Sequence, residues 1–285
     1  MADRSLSRRP PAAVVATFPL AGLIAAASLA GIFVRSTYAS ETADWAAQGI
    51  GQDWFDLMFA VPWLTVTAAL SLRGSERARL LLAGGIAYAF YELVIYAFAI
   101  HFNAMFLVYC AALGFSFFSL LGIGWLIVRK PPSIPSPPDR DREMAGALLI
   151  LIATLFSMAW LGEIIPALAK SVVPPAIVDA GLPTNPVYVM DLSVVLPVHF
   201  IAGVALLRRK SSGFVLAPVV LAFDVMMALS LAVMMLVMRL RGAEASVPVA
   251  AGMALVSGAS AVMLERVLRR PRLAIERSLE RGRAR

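Results

Sequence analysis

The amino-acid sequence predicts an all-α membrane protein with eight transmembrane helices, arranged as two parallel four-helix repeats. Of its 285 residues, 60% are hydrophobic and only 15% are charged, against about 25% charged residues in an ordinary soluble domain. Lipid permits only helices or closed barrels to span it. Barrel strands alternate apolar and polar residues over about ten positions, whereas the apolar runs here are continuous over the length of a whole helical span.

A water-soluble fold could not bury this much apolar side chain, so the composition excludes a cytosolic enzyme, a disordered protein and a nucleic-acid-binding module. The isoelectric point of about 10.1 does not change that conclusion. The sequence has no Walker loop, zinc motif, Gly-x-Ser-x-Gly or Cys-x-x-Cys-His, and we expect no cofactor and no metal. The one cysteine, Cys110, is predicted to be a small buried apolar residue, as lone cysteines in a span usually are.

A membrane span needs about 20 mostly apolar residues, and eight segments meet that test. The first follows Arg4, Arg8 and Arg9, as a secretory signal would, but it is longer than the ~7–15 apolar residues of such a signal and is interpreted as a retained span. The predicted spans are Ala12–Val34, Phe55–Leu72, Leu80–Ile100, Ala104–Val128, Gly146–Leu168, Met190–Leu207, Val215–Met238 and Val247–Leu264.

The distribution of Lys and Arg predicts the orientation, because cytoplasmic loops are enriched in both. If both termini are cytoplasmic, only four of the 25 Lys and Arg residues fall outside, namely Arg35, Lys170, Arg239 and Arg241. The other 21 fall in the inner segments. We therefore expect a multi-pass protein of the bacterial cytoplasmic membrane with both ends inside, whose cytoplasmic face contacts anionic lipid headgroups.

The predicted organisation is two four-span halves, residues 1–128 and 146–266, separated by a Pro-rich cytoplasmic linker at 129–145. A basic cytoplasmic tail follows at 267–285 and is expected to contact lipid headgroups rather than nucleic acid. In the outer loop at 169–189, Pro174-Pro175 and Gly181 predict a short interfacial helix that ends at the glycine.

An internal match supports the two halves. The second span has Asp56-Leu57, then Pro62 and Arg73, and the sixth has Asp191-Leu192, then Pro197 and Arg208, each pair 135 positions apart. Parallel repeats of this kind occur in transporters. The alternative is that an Asp near a helix start, a proline and a cytoplasmic Arg are general features of membrane spans.

Several stretches resemble a widespread, uncharacterised group of bacterial eight-span integral membrane proteins. The resemblance lies in Gly51-Gln52-Asp53 with Pro62, in Phe102-Asn103 with 106–109, in 163–168, and in 184–192 running on to Pro197, Gly203 and Arg208-Arg209. It covers most of the chain from 51 to about 218. It implies an eight-span fold and no particular activity, and its pattern does not feature Glu92, His199 or Asp224.

Three ionisable residues lie deep in predicted spans: Glu92 in the third, His199 in the sixth and Asp224 in the seventh. Ionisable groups inside a bilayer are costly and usually face a cavity or a partner. No Lys or Arg falls in a span interior, so the acids are expected to be protonated or to share a proton or cation with His199. The two interpretations left open are a midplane proton or cation relay and neutral hydrogen-bonded acids at a helix interface.

A second polar set gathers at the outer side and is the predicted substrate-binding site: Asp53, Asp56, Asn103, Glu163, Asn185 and Asp191. Asp56 and Asp191 are also explained as helix N-caps. Glu163 has no such explanation, because it lies near the C-terminal end of its span, and it is the strongest single candidate for a functional side chain.

Three functions remain open at this point. The first is a permease for a small solute or ion, with the outer carboxylates as its entry and Glu92, His199 and Asp224 as its midplane site. The second is a membrane-embedded enzyme that uses Glu163 and an Asp as acid and base, and the third is a non-catalytic assembly subunit. A cavity that crosses the midplane favours the first, an outward pocket closed below Glu163 the second, and a filled bundle the third. The sequence leaves the solute and the oligomeric state open.

Overall fold

The computed structural model describes residues 11–133 and 136–269. Within those ranges the chain has no strand, and eight helices are long and apolar enough to cross a membrane. This confirms the predicted fold class. With one short helix, α6 (Pro175–Ala180), the helices are α1 (Ala12–Phe33), α2 (Ala43–Leu72), α3 (Glu76–Ala99), α4 (Phe106–Arg129), α5 (Asp139–Ala169), α7 (Pro186–Leu207), α8 (Ser211–Leu240) and α9 (Val247–Leu268).

Helices α2 and α7 begin earlier than the hydropathy pattern predicts, well before the aspartates interpreted as their caps. Helix α2 starts at Ala43 rather than Phe55, and its N-cap is Thr42, whose side chain accepts from the backbone N–H of Trp45. Helix α7 starts at Pro186, and Asn185 is its cap. The interpretation of Asp56 and Asp191 as helix caps is therefore wrong. Both lie inside their helices, where polar residues on the inward face lower the local hydropathy.

Each of these two helices contains a π-helical turn, at Asp56–Ala60 and at Asp191–Val195. Each turn begins at the aspartate and is followed within two residues by a proline, Pro62 or Pro197. A proline cannot donate to the carbonyl one turn earlier, and a wider turn is one way in which a helix accommodates the missing bond. Because π turns occur often at functional sites, both positions are candidates for such a site.

The ends of the eight long helices alternate between two sides of the bundle. The inner end carries the connections at 73–75, at 130–133 with 136–138, and at 208–210. The outer end carries those at 34–42, 100–105, 170–185 and 241–246. Helix α1 runs into the outer connection at 34–42 and α9 leaves the outer connection at 241–246, so both described chain ends lie at the inner end. Which end faces the cytoplasm remains a prediction from the charge distribution, and the basic tail beyond residue 269 lies outside the described residues.

We expect a reporter fused after Arg285 to read out the cytoplasm, because the inner end carries most of the Lys and Arg residues. A green fluorescent protein fusion should fluoresce, and a fusion of an enzyme that is active only outside the cytoplasm should be inactive. The same pair of fusions placed in the outer connection after Gly242 is the control and should give the opposite readings. An active extracytoplasmic fusion at Arg285 would contradict the topology.

The same helix pairs pack in both halves. Helix α1 packs on α2 and α4, and α3 packs on both α2 and α4; in the second half α5 packs on α7 and α9, and α8 packs on both α7 and α9. Across the halves α8 packs on α2 and α3, and α3 on the start of α7. This agreement is consistent with the four-helix repeat, which stays a prediction.

The connections differ in detail from the sequence expectations. Helix α5 begins at Asp139, so the linker between the halves is shorter than 129–145. Helix α6 ends, as its pattern predicts, at Gly181 in the left-handed conformation, with φ of 71°. Cys110 is exposed on α4, so its predicted burial is wrong; a cysteine on the outward face of a span meets lipid rather than protein.

Candidate functional site

One cavity of about 400 Å³ lies between α2 and α3 of the first half and α5, α7, α8 and α9 of the second. Helix α6 and the segment after it contribute Ala176, Ala180 and Leu182 to its outer part. The cavity brings together most of the predicted polar residues, from both the outer and the midplane sets. Its ionisable and amide-bearing lining residues are Gln48, Gln52, Glu92, Glu163, Asn185, Asp191, His199 and Asp224.

The cavity reaches from the outer loops to the middle of the bundle and ends there. From Tyr188 at its outer part to His199 at its floor is about 16 Å along α7, at 1.5 Å per residue. One or two turns further toward the inner end, Ile86, Ala202 and Leu221 belong to the packed apolar core. The cavity is therefore deeper than Glu163 but is closed toward the inner end.

His199 and Asp224 form a buried pair at the cavity floor. The His199 Nε2 lies 2.6 Å from Asp224 Oδ1, and its Nδ1 lies 2.7 Å from the carbonyl oxygen of Val195 in the π turn. Because a carbonyl only accepts, Nδ1 carries a hydrogen, and one further proton lies between Nε2 and Asp224. The other oxygen of Asp224, Oδ2, is buried and has no partner.

Glu92 of α3 and Asp56 of α2 form a pair of carboxyl groups. Their carboxyl groups lie within hydrogen-bonding reach of each other. The Tyr88 hydroxyl donates to Asp56 at 2.9 Å, and the Gln52 amide donates to the same oxygen at 3.3 Å. Glu92 lines the cavity, with its Oε1 unpartnered, while Asp56 lies behind it. Two carboxyl groups in contact hold a proton between them, since like charges this close cannot both persist.

The outer part of the cavity holds Glu163 and Asp191. The Tyr188 hydroxyl donates to Glu163, and Glu163 is exposed, which places an accessible carboxylate beside a tyrosine. Asp191 is buried, with 9% of its surface exposed, and accepts from the Trp160 indole N–H at 2.8 Å. Trp160 and Tyr188 pack against each other with ring centroids 5.1 Å apart. Aromatic rings thus frame both acids.

Asp53 does not line the cavity. It is fully buried and accepts from the hydroxyls of Tyr38 at 2.7 Å and Tyr96 at 2.8 Å. Burial, together with the neighbouring Asp53 carboxylate, raises the pKa of Tyr38, so that its hydroxyl stays protonated and keeps donating. Asp53 therefore ties the first outer loop to α2 and α3, which is a structural role rather than the predicted substrate contact.

Asn103 also lies outside the cavity. Its amide donates to the Thr37 carbonyl at 3.0 Å, and its carbonyl accepts from the Met105 N–H at 2.8 Å. These bonds shape the turn between α3 and α4. Asn185, in contrast, both caps α7 and lines the cavity.

The cavity also uses side chains that the sequence analysis did not select. Eight of them are aromatic: Trp45, Tyr88, Tyr91, Tyr96, Phe156, Trp160, Tyr188 and Phe223. One signal could have found part of this set. Tyr88, Glu92 and Tyr96 recur at four-residue spacing, which places them on one face of α3, and a polar stripe on an otherwise apolar span indicates a cavity or a partner.

No protein-family model matches the chain, and no match was found among curated proteins or among solved structures. The functional conclusion therefore depends on the geometry of the site.

The close approach of α1 to Asp53 gives a testable prediction. A Cβ built on Gly31 would lie 1.7 Å from Asp53 Oδ2, so Gly31→Ala should displace the carboxylate and destabilise the protein by about 1–3 kcal/mol. The measurement is thermal unfolding of the purified protein in detergent. Gly22→Ala is the matched control, since no atom lies within 4 Å of its added Cβ, and it should be neutral or slightly stabilising. Equal stability of the two variants would contradict the packing at Asp53.

Proposed function

We propose that the protein is a permease for a small solute, which it binds in the cavity from the outer side. One observation carries this proposal: a single cavity joins the acids at the outer end to the acids at mid-depth and is closed below by packed apolar side chains. The cavity ends at mid-depth and does not cross the midplane, which is the shape expected of a transporter in its outward-facing state rather than of a continuous channel. Its volume of about 400 Å³ is within the range of small-molecule sites.

The position of the cavity supports the same proposal. Transporters built from repeats bind their solute near the bilayer midplane at the repeat interface, where irregular helices contribute to the site. Here the cavity lies between the two halves, and the π turn at Asp191–Val195 contributes Asp191 and Val195 to its wall. Irregular backbone at membrane depth is tolerated where it lines a cavity.

The two buried pairs give the permease a source of coupling. The His199–Asp224 pair holds a proton at the floor, and the Asp56–Glu92 pair holds another on the wall. A solute that displaces or gains such a proton would couple its own movement to that of a proton, as acids and histidines in transporters do. Membership of the bacterial eight-span group and location in the bacterial cytoplasmic membrane belong to this proposal as well.

The structure gives less support to the two alternatives. The enzyme hypothesis pairs Glu163 with an aspartate. Of the outer aspartates only Asp191 lines the cavity with Glu163, and the hydrogen-bond partners of the two differ: Tyr188 for Glu163 and Trp160 for Asp191. The assembly-subunit hypothesis expects a filled bundle, whereas this bundle contains a cavity lined by four carboxylates.

A permease must expose the same cavity position to each side of the membrane in turn. The reactivity of a cysteine placed in the cavity tests this exposure. Met227 lines the cavity beside the acids. We expect Met227→Cys, in a Cys110→Ala background, to react with a membrane-impermeant charged thiol reagent in both right-side-out and inside-out vesicles. Mass measurement of the purified protein quantifies the reaction.

The matched control is Met158→Cys in the same background. Met158 is 66% exposed on the lipid-facing side of α5, where a thiol stays protonated, so it should not react from either side. Reaction of Met227→Cys from the outer side alone would mean a static outward pocket and would overturn the permease proposal.

A further inference from the structure

The cavity is lined by more acidic side chains than basic ones. Four carboxyl groups line it, those of Glu92, Glu163, Asp191 and Asp224, and no Lys or Arg is among its described lining residues. His199 is the one basic side chain there, and it is already paired with Asp224. A carboxylate away from water is costly unless it is paired, so this cavity favours a positively charged occupant.

Two carboxyl oxygens that lack hydrogen-bond partners give independent support for a positively charged occupant. Glu92 is 6% exposed and Asp224 is 5% exposed, and each has one carboxyl oxygen, Oε1 and Oδ2 respectively, with no hydrogen-bond partner. Both side chains line the cavity. Buried carboxyl oxygens in folded proteins are nearly always paired, and a donor from a bound ligand would satisfy these two.

The remaining wall is aromatic and apolar, which bears on the kind of cation. Tyr91, Trp160 and Phe223 line the same space, together with apolar residues such as Ile95, Met227 and Val256. Ring faces attract organic cations and are used to recognise quaternary and methylated amines. A metal ion would instead need several oxygen, nitrogen or sulfur ligands close together. Among the described residues no three His, Cys, Asp or Glu side chains form such a group.

We infer that the cavity binds a small organic cation, in which an amine or quaternary ammonium group is joined to an apolar body. The charged nitrogen lies near Glu92 and Asp224 at mid-depth, and the apolar body packs on the rings toward the outer end. Glu163, accessible beside Tyr188, forms the first charge that the cation meets. This inference names the solute class of the proposed permease. Only the transport of the cation rests on the proposed function, since its binding is measured separately.

Two probes of nearly equal shape test the inference. 2-Phenylethylamine carries a positive nitrogen at pH 7, and 2-phenylethanol carries a neutral hydroxyl in its place. Titration calorimetry of the full chain in detergent should show the amine binding at least about tenfold tighter than the alcohol, as a desolvated cation among rings and carboxylates should. Sodium ion is a third probe and should not compete with the amine.

Variants locate the site. Glu92→Gln keeps the shape but confines the negative charge that Glu92 shares with Asp56 to Asp56, which does not line the cavity. It should weaken amine binding by about tenfold or more while leaving alcohol binding unchanged. Asp179→Asn makes the same kind of change on exposed α6, outside the cavity lining, and should leave both affinities unchanged. Thermal unfolding without probe confirms that each variant folds.

Equal affinities for the amine and the alcohol, or displacement of the amine by sodium, would overturn the organic-cation inference. An amine affinity that is the same in Glu92→Gln and in the unmodified chain would place the cation elsewhere and overturn the site. The thiol experiment separates this inference from the proposed function. If Met227→Cys reacts from both sides but the amine does not bind preferentially, the permease stands without the cation. If the amine binds but the thiol reacts only from the outer side, the cation site stands without the permease.

Discussion

Replacing Asp224 alone by Leu should lower the free energy of unfolding by about 3 kcal/mol or more. His199 and Asp224 are 2% and 5% exposed. Among the described residues, Asp224 is the only hydrogen-bond partner of the His199 Nε2, at 2.6 Å. Removal of one member leaves the other buried without its partner. Removal of both, in the double variant His199→Leu with Asp224→Leu, should recover most of the loss, because well-packed apolar side chains often replace a buried pair without cost.

The measurement is thermal or denaturant unfolding of the two single variants and the double variant in detergent. Asp224→Asn is the matched control, since it keeps the shape and can still hydrogen-bond the imidazole, and its loss should be much smaller. Amine binding should fall in every variant that lacks the carboxylate. Additive losses in the double variant would mean that the two side chains do not interact, which would contradict the pair at the cavity floor.

Asp53→Ala should cost about 3 kcal/mol of stability, because the change leaves a void and two buried tyrosine hydroxyls without an acceptor. Tyr38 and Tyr96 both donate to this carboxylate, and Tyr38 belongs to the outer loop that precedes α2. We therefore also expect faster proteolysis within residues 34–42. Unfolding temperature and the sites of limited proteolysis are the two measurements.

The control for Asp53 is Tyr38→Phe, which removes one donor and leaves no unpaired hydroxyl on the tyrosine. Its cost should be about 1 kcal/mol. A silent Asp53→Ala would mean that the two tyrosines find other partners, and the structural role assigned to Asp53 would be wrong. A loss of amine binding at unchanged stability would return Asp53 to the binding site in which the sequence analysis placed it.

The eight spans could be predicted because hydropathy is a local property. A segment such as Val247–Leu264 spans a membrane on account of its own composition, whatever its neighbours are. The start of α2 could not be found in this way. Its first turns carry Gln48, Gln52 and Asp53 on faces turned inward, and a scale that averages over all faces of a helix counts those polar residues as evidence against a span.

Part of the candidate site could also be predicted from local sequence. Glu92, His199 and Asp224 stood out because each is an ionisable residue within an apolar run, and the cost of burying charge in lipid makes such residues informative. Their partners did not stand out. The sequence left open whether the midplane acids share a proton with His199, and only the packing of α7 on α8 brings His199 to Asp224.

The sequence by itself determined that this protein is an eight-helix membrane protein, which of its helix ends share a side, and which acids require an explanation. The tertiary structure alone decided that the outer and midplane acids line one cavity, that Asp53 and Asn103 lie outside it, and that aromatic rings complete its wall. The physical reason is that the cost of placing a residue in lipid depends on that residue and its neighbours in the chain, whereas the partner of a side chain depends on how each helix is rotated about its axis when it packs.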